Sequence, residues 1–518
     1  MRTPTPAACG LFVGSCASQP RGSTTSDNAG QDERETRHCS RFGQKVAGLL
    51  WLALLFYLSG CASAHAPQQN VILINRSGMA LAPEGERVRQ KEDEQEFEAH
   101  LNTITNAIAI CRNCITRDGT KRILIFIHGG MNSVNNSLAK ANELVPRISA
   151  DEYYPLFINW NSGLWSSYWE HLTLVRQGEV QRVWGPLTSP LYLAADLGRA
   201  IVRAPVVWYY QLTSDATTAA RYETPGFVRK ALFLPKLADD AVPDQAGETG
   251  LGLWPGKDRR SDLDRFGYGT AYFLTLPLKL AVGPVIDALG KSAWDNMSRR
   301  TQTMFRNPGD FDRPARKTEL GDALSRVGRA PHGAVSRLMQ RLEDLIAADS
   351  ANHYEITLIG HSMGAIVANE IIRSHPRLPF VNLVYMGAAC SVSDFERSVV
   401  PYLSQSNSTR FYNLTLHPVA EAREAQWSLL DIPPRGSLLE WIDNYLSTPR
   451  TIPERTLGKW DNVIATTALI PQSVASRIQI KAFDVGPRSE LPADNPQKHA
   501  EFSEVEFWKD QFWRIKPR

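Results

Sequence analysis

The chain has 518 residues, 43 % of them apolar, with 35 glycines and 32 prolines. That is enough apolar material for a large buried core, and it excludes a disordered, collagen-like or low-complexity chain. A net charge of only +3 lacks the basic footprint of a duplex-binding protein, so no nucleic-acid partner is expected.

The first element is an address. Arg41 and Lys45 precede Val46–Leu58 (VAGLLWLALLFYL), an uncharged run of thirteen residues. It is too short to span a hydrocarbon core of ~30 Å comfortably as a helix, and it suits the apolar region of a secretory signal. Leu58-Ser59-Gly60-Cys61 follows. This block resembles a bacterial lipobox. The resemblance implies a diacylated Cys61 at the mature N-terminus and a chain held in the bacterial cell envelope. Ala62 in place of Asp resembles lipoproteins sent to the outer membrane, facing the periplasm. Two or three acyl chains anchor stably, at ~0.8 kcal/mol per buried CH₂. The plainer alternative is an ordinary signal peptide cut after Ala66. Residues 1–40 are long and mixed in charge for a leader, which fits a start further downstream. We set residues 1–60 apart as the signal peptide.

Val71–Ile74 reads as a short strand. Residues 84–110 begin highly charged and end with apolar residues at helical spacing, which predicts an amphipathic helix. Arg122–His128 (RILIFIH) and Tyr154–Trp160 (YPLFINW) are continuous apolar runs, the pattern of central parallel strands covered on both faces. The first stops at His128-Gly129-Gly130-Met131. From about Ser162 to Asn352 no clear strand appears. Pro190–Tyr210 and Ala271–Leu289 are apolar there, interrupted by Asp196, Arg199, Arg203 and Lys279, and the block reads as a helical insertion. Val335 to Ile346 gives a clean helix stripe. Tyr354–Ile359 predicts a strand, Gly364–Ile372 a helix, and Leu383–Met386, Arg410–Leu416 and Arg477–Phe483 three more strands. A closing helix is expected near 503–515. Strands alternating with helices predict an α/β protein with a doubly wound, mostly parallel sheet.

Gly360-His361-Ser362-Met363-Gly364 lies between a predicted strand and a predicted helix. A serine on so sharp a turn sits in strained backbone, and flanking glycines let strand and helix approach. The helix N-terminus favours a developing negative charge there. With His128-Gly129-Gly130 upstream, the chain resembles the α/β-hydrolase superfamily, over about 122–161 and 354–515. The resemblance implies an α/β-hydrolase fold: residues 61–161 as the first part of the core, 162–352 as a helical insertion or lid before the nucleophile strand, and 353–518 as the second part. It implies Ser362 as nucleophile, with an oxyanion hole from the N–H groups near Gly130 or Met131 and that of Met363. His128 is expected to be structural.

The superfamily order is nucleophile, acid, histidine. Of the histidines after Ser362, His375 ends the nucleophile's own helix and His417 ends a strand. His499 follows the last predicted strand, where the resemblance places the base, with His417 in reserve. For the acid the resemblance points to Glu421, with Glu424 close behind, or else to Asp394. Asp484 sits in a strand and is a poorer choice. The resemblance thus implies a serine hydrolase of carboxylic esters, with lipid or acyl esters favoured by the anchor and the apolar insertion. Acyl transfer through the same residues, or a non-catalytic envelope scaffold, are the alternatives. No metal-ligand spacing and no nucleotide fingerprint occurs, so no cofactor is expected. Cys111 and Cys114 form either a local disulfide or two buried thiols.

Overall fold

The computed structural model describes residues 67–74, 92–130, 134–176, 179–180, 184–231, 250–305, 333–424 and 436–515. The leader, Cys61, residues 84–91 of the first expected helix, and Met131 lie outside the described residues. The described residues all belong to one compact unit, Ala64–Arg518.

Eight strands make one sheet: β1 (Val71–Ile74), β2 (Thr120–Ile127), β3 (Tyr154–Trp160), β4 (Gly252–Trp254), β5 (His353–His361), β6 (Phe380–Met386), β7 (Arg410–Thr415) and β8 (Ile478–Ala482). Their order is β1-β3-β2-β5-β6-β7-β8-β4, and each neighbouring pair is parallel. The protein is therefore α/β, with one parallel sheet wound on both faces.

The alternation along β2 explains why. Ile123, Ile125 and Ile127 enter one core, and Leu124 and Phe126 enter the other. Parallel strands buried on both faces carry no polar alternation, which is why these segments read as unbroken apolar runs. On the first face lie α1 (Glu92–Ile110), α7 (Ala334–Ala348), α8 (Gly364–Ser374) and α9 (Val392–Gln405), supplying Leu101, Leu338, Val367 and Val399. On the second lie α2 (Val134–Ala150), through Ala141, Leu144 and Ile148, and the C-terminal aromatics Phe507, Trp508, Phe512 and Trp513. Cys111 and Cys114, just after α1, are disulfide-bonded.

Between β3 and β5 come α3 (Leu164–Thr173), α4 (Trp184–Thr218), α5 (Asp262–Leu274) and α6 (Leu276–Thr303). The expectation of a strand-free block fails in two places. Gly252–Trp254 pairs with β8 at the sheet edge, Leu253 opposite Ile480, and Val175–Arg176 pairs antiparallel with Glu179–Val180. Segments of two or three residues are too short to show a period.

The expected closing helix is also corrected. His499–Ser503 is a 3₁₀ turn, and only Asp510–Trp513 forms a single helical turn. Adjacent aromatics explain this: Phe507 with Trp508, and Phe512 with Trp513, are buried at successive positions. A longer surface helix would turn one of each pair towards water. Trp513 is 1 % exposed and donates its indole N–H to the Phe507 carbonyl at 2.8 Å. Trp513→Ala should cost about 3–5 kcal/mol by analogy with other large-to-small core changes. Denaturant unfolding checks this, with the midpoint falling clearly below that of the parent.

Candidate active site

The chain leaves β2 towards β3 on one side and returns to β5 on the other. The C-terminal ends of β2 and β5 thus border the point where strand order reverses, the usual ligand crevice of such sheets. Ile127 is opposite Gly360 in register, so His128-Gly129-Gly130 and His361-Ser362-Met363 emerge side by side.

Ser362 has φ +53°, the left-handed region, without being glycine. Its backbone is clamped there. The N–H donates to the Met386 carbonyl at 2.9 Å, and its own carbonyl accepts from Ala365 at 3.1 Å and Ala389 at 3.0 Å. A Cβ on Gly360 would come within 2.9 Å of the Ala365 backbone, and one on Gly364 within 2.2 Å of the Ile127 carbonyl oxygen. Those two glycines are needed for strand, turn and helix to meet.

The first glycine turn backs onto the serine. A Cβ at Gly129 would be 2.7 Å from the Ser362 Cβ, and one at Gly130 would be 2.8 Å from the Met363 sulfur. Among the described residues, neither the Gly130 nor the Met363 N–H has an acceptor. The Ser362 hydroxyl is buried and has no partner either.

His128 is a locally bonded histidine. Nε2 accepts the Trp160 N–H at 3.0 Å, so Nδ1 carries the proton and donates to the Gly129 carbonyl at 2.7 Å. Its ring stacks on Trp160 at 4.3 Å, and burial pushes its pKa down to about 4. His361 donates from Nε2 to the His499 carbonyl at 3.0 Å and is likewise pushed down to about 4 by burial.

His499 is brought to the Ser362 end of the sheet. Its ring lies over Gly387, where a Cβ would be 2.7 Å from Cε1 and 2.8 Å from Nδ1. Gly387 directly follows Met386, the residue bonded to the Ser362 N–H. The His499 and His361 rings are 5.1 Å apart. The His499 backbone is fixed on both sides, its N–H donating to Glu424 Oε2 at 2.9 Å and its carbonyl accepting from His361. The imidazole is not: both ring nitrogens are buried without a partner. Burial, with the His361 ring beside it, holds its pKa well below the usual value, so the ring is neutral at neutral pH. No hydrogen bond joins it to Ser362.

The expected acids do not reach that ring. One oxygen of Glu421 accepts from the Ser437 hydroxyl and the other has no partner. Glu424 bonds the His499 backbone. Asp394 is held by Asn369 at 2.7 Å and by Arg373. Asp484 is bound by Arg259 and by the Lys257 N–H at 2.9 Å. Nor are the other histidines free. His417 accepts the Val419 N–H at 3.2 Å, capping the short helix Pro418–Arg423. His375 is within 3.1 Å of the Ser336 hydroxyl.

Of two cavities along the sheet, one accompanies this region. It holds about 230 Å³ and lies beside His128 and His361, lined by Phe126, Phe157 and Asn159. The larger, about 520 Å³, is lined by Arg122, Tyr153 and Glu355 near the N-terminal ends of the strands, far along the sheet from the serine. Sequence reasoning missed Gly387 as the seat of the His499 ring, His361 as its backbone clamp, and Glu424 as a main-chain partner. A glycine directly after an apolar strand was the available signal for the first.

Comparison with known proteins finds no matching family model, no matching curated protein and no matching solved structure. Among the described residues no group of His, Cys, Asp or Glu is arranged to hold a metal ion.

Burial raises Glu421 from an ordinary 4.5 to about 8 and Glu424 from 4.5 to about 7. Carboxyls that hold protons more tightly folded than unfolded contribute stability that is whole below about pH 4.5 and is lost as pH rises through 7 to 8. Glu421→Gln, a neutral mimic, should melt several degrees above the parent at pH 9 and close to it at pH 5. Calorimetry across that range checks this, and parallel pH curves would mean that the buried carboxyl is ionised throughout.

Proposed function

We propose that this chain is a serine hydrolase of the α/β-hydrolase type, lipid-anchored in a bacterial envelope through Cys61, that cleaves carboxylic esters of lipid or acyl character. One observation carries the reading. A buried serine is held in left-handed backbone between a strand and a helix, with its hydroxyl unpaired, with the N–H groups of Gly130 and Met363 lacking an acceptor among the described residues, and with a neutral imidazole, both nitrogens open, at the same end of the sheet.

Ser362 attacks the ester carbonyl while His499 takes its proton. The oxyanion is held by the N–H groups of Met363 and Gly130, each such donor being worth ~10²–10³ in rate. Collapse expels the alcohol, protonated by His499, and leaves an acyl-enzyme. Water, deprotonated by the same ring, then releases the acid. Glu424 fixes the backbone of His499 and is a positioning residue. Of the two acids expected from the sequence, Glu421 lies closer in the chain to this contact than Asp394.

A second reading is favoured by a specific observation. Among the described residues no carboxylate contacts the His499 ring, and no hydrogen bond links that ring to Ser362, as suits a non-catalytic scaffold. Fluorophosphonate labelling separates the two. The hydrolase reading expects labelling of the purified protein that vanishes in Ser362→Ala, and a folded protein that stays unlabelled supports the scaffold. Turnover of p-nitrophenyl esters should fall by roughly 10³-fold or more in His499→Ala. His417→Ala should lower the melting temperature and leave turnover within a few-fold of the parent. The reverse pattern would transfer the base to His417.

A further inference from the structure

Helix α4 is built inside out. Three of its polar residues, Asp196, Arg203 and Gln211, face the protein. Asp196 accepts from the Tyr168 hydroxyl at 3.0 Å, Arg203 makes a two-point ion pair with the buried Asp287 of α6 at 2.8 and 2.9 Å, and Gln211 is 2 % exposed. The opposite side carries Leu187, Leu191, Ile201, Val202, Tyr209 and Leu212, exposed by 69, 71, 78, 79, 65 and 40 %. At 3.6 residues per turn these six fall on one arc of about 100°. Positions 194, 198 and 205 share that arc and are Ala, Gly and Pro. No charged residue lies on it from Leu187 to Leu212.

The first half of helix α6 repeats the reversal. Lys279 and Asp287 are buried, while Leu278 and Val285 are exposed by 46 and 40 %. The Trp208 indole donates to the Leu280 carbonyl at 2.7 Å, joining the two helices. A helix facing water turns its charges outward. Contiguous apolar surface on this scale marks an interaction site, and buried charges beneath an apolar exterior suit an apolar medium outside.

We propose that the outer faces of α4 and α6 dock on a phospholipid bilayer, lying in the membrane plane at the boundary of the acyl chains. Two features favour lipid over a protein partner. The α4 arc has no charged or amide side chain to set a register with another chain. Under the proposed function the chain is also lipidated at Cys61, six residues before Pro67, which tethers it to a bilayer. Contact is driven by hydrocarbon and not by charge, so zwitterionic lipid suffices and salt does not release it. No single helix among the described residues is long and apolar enough to cross a membrane, although the bent pair Asp262–Ala271 and Leu276–Thr303 meets that test jointly. The proposal stands independently of the reaction at Ser362.

The test uses the full chain in phosphatidylcholine vesicles at high salt, with a photocrosslinker placed by Val202→p-benzoylphenylalanine, by Leu191→p-benzoylphenylalanine, and by Gln405→p-benzoylphenylalanine as the control on α9. All three side chains are exposed, and circular dichroism verifies the fold of each variant. After illumination, mass spectrometry should find about tenfold more lipid adduct at positions 202 and 191 than at 405, as insertion of this face requires. Equal adduct at all three positions overturns the proposal. So does a crosslink between two copies of the chain without lipid adduct, which would assign the face to self-association.

Discussion

The centre of this protein depends on two places where no side chain fits. A methyl group at Gly364 would sit 2.2 Å from the Ile127 carbonyl oxygen, and one at Gly360 would sit 2.9 Å from the Ala365 backbone. With hydrogen alone at both, α8 starts directly against the ends of β2 and β5, and Ser362, midway between the glycines, is forced into left-handed backbone. Such a conformation costs of order 1–3 kcal/mol and persists only where the surroundings over-determine it. Here they do, since three main-chain hydrogen bonds at 2.9–3.1 Å hold Ser362. The same close approach sets Gly129 against Ser362 and Gly130 against Met363, so the serine, the glycine turn and the free N–H groups follow from one packing constraint.

A second regularity concerns unpaired polar atoms. The Ser362 hydroxyl, both ring nitrogens of His499 and one oxygen of Glu421 are buried without partners. An unsatisfied buried group costs about 1–3 kcal/mol, and in native proteins each calls for an explanation. The hydroxyl and the imidazole gather at the end of the sheet where strand order reverses, around the turn from Met386 to Ala389. The backbones carrying them are, by contrast, fully bonded. His499 is pinned through its N–H and its carbonyl, so the ring stays over Gly387 while its nitrogens remain open. Rigid main chain beneath unsatisfied side chains is the arrangement expected where a third molecule completes the bonding.

Legibility from sequence divides by length scale. The strands of the sheet interior were readable because burial on both faces leaves an unbroken apolar run, as in Arg122–His128, and α7 and α8 because their stripes repeat over three or four turns. The elbow at Ser362 was readable because its sterics depend on residues adjacent in the chain. What escaped depends on partners far away. Gly252–Trp254 is a strand only because β8 offers an open edge. The closing segment is not one helix because its aromatics fill gaps left by β7, β8 and α2. The choice of carboxylate depends on side-chain direction: Glu421 and Glu424 are three residues apart, yet one turns to Ser437 and the other to the His499 main chain, and no periodicity predicts which.

The helices between β3 and β5 are joined to the serine by a short chain of contacts. Arg300, near the C-terminal end of α6, donates to the Asn161 carbonyl and pairs with Glu170. The neighbouring Ser162 hydroxyl donates to the Gly129 carbonyl at 3.1 Å, and Gly129 touches Ser362. One helix thus bears exposed Leu278 and Val285 near its start and grips the mouth of the sheet near its end, with Trp294 and Met297 buried in the main core between. A surface attached in this way cannot shift far without moving the turn that backs the serine. That distinguishes it from a loosely hinged flap, and it means that whatever medium the apolar helices face also fixes the direction in which the C-terminal end of the sheet is presented.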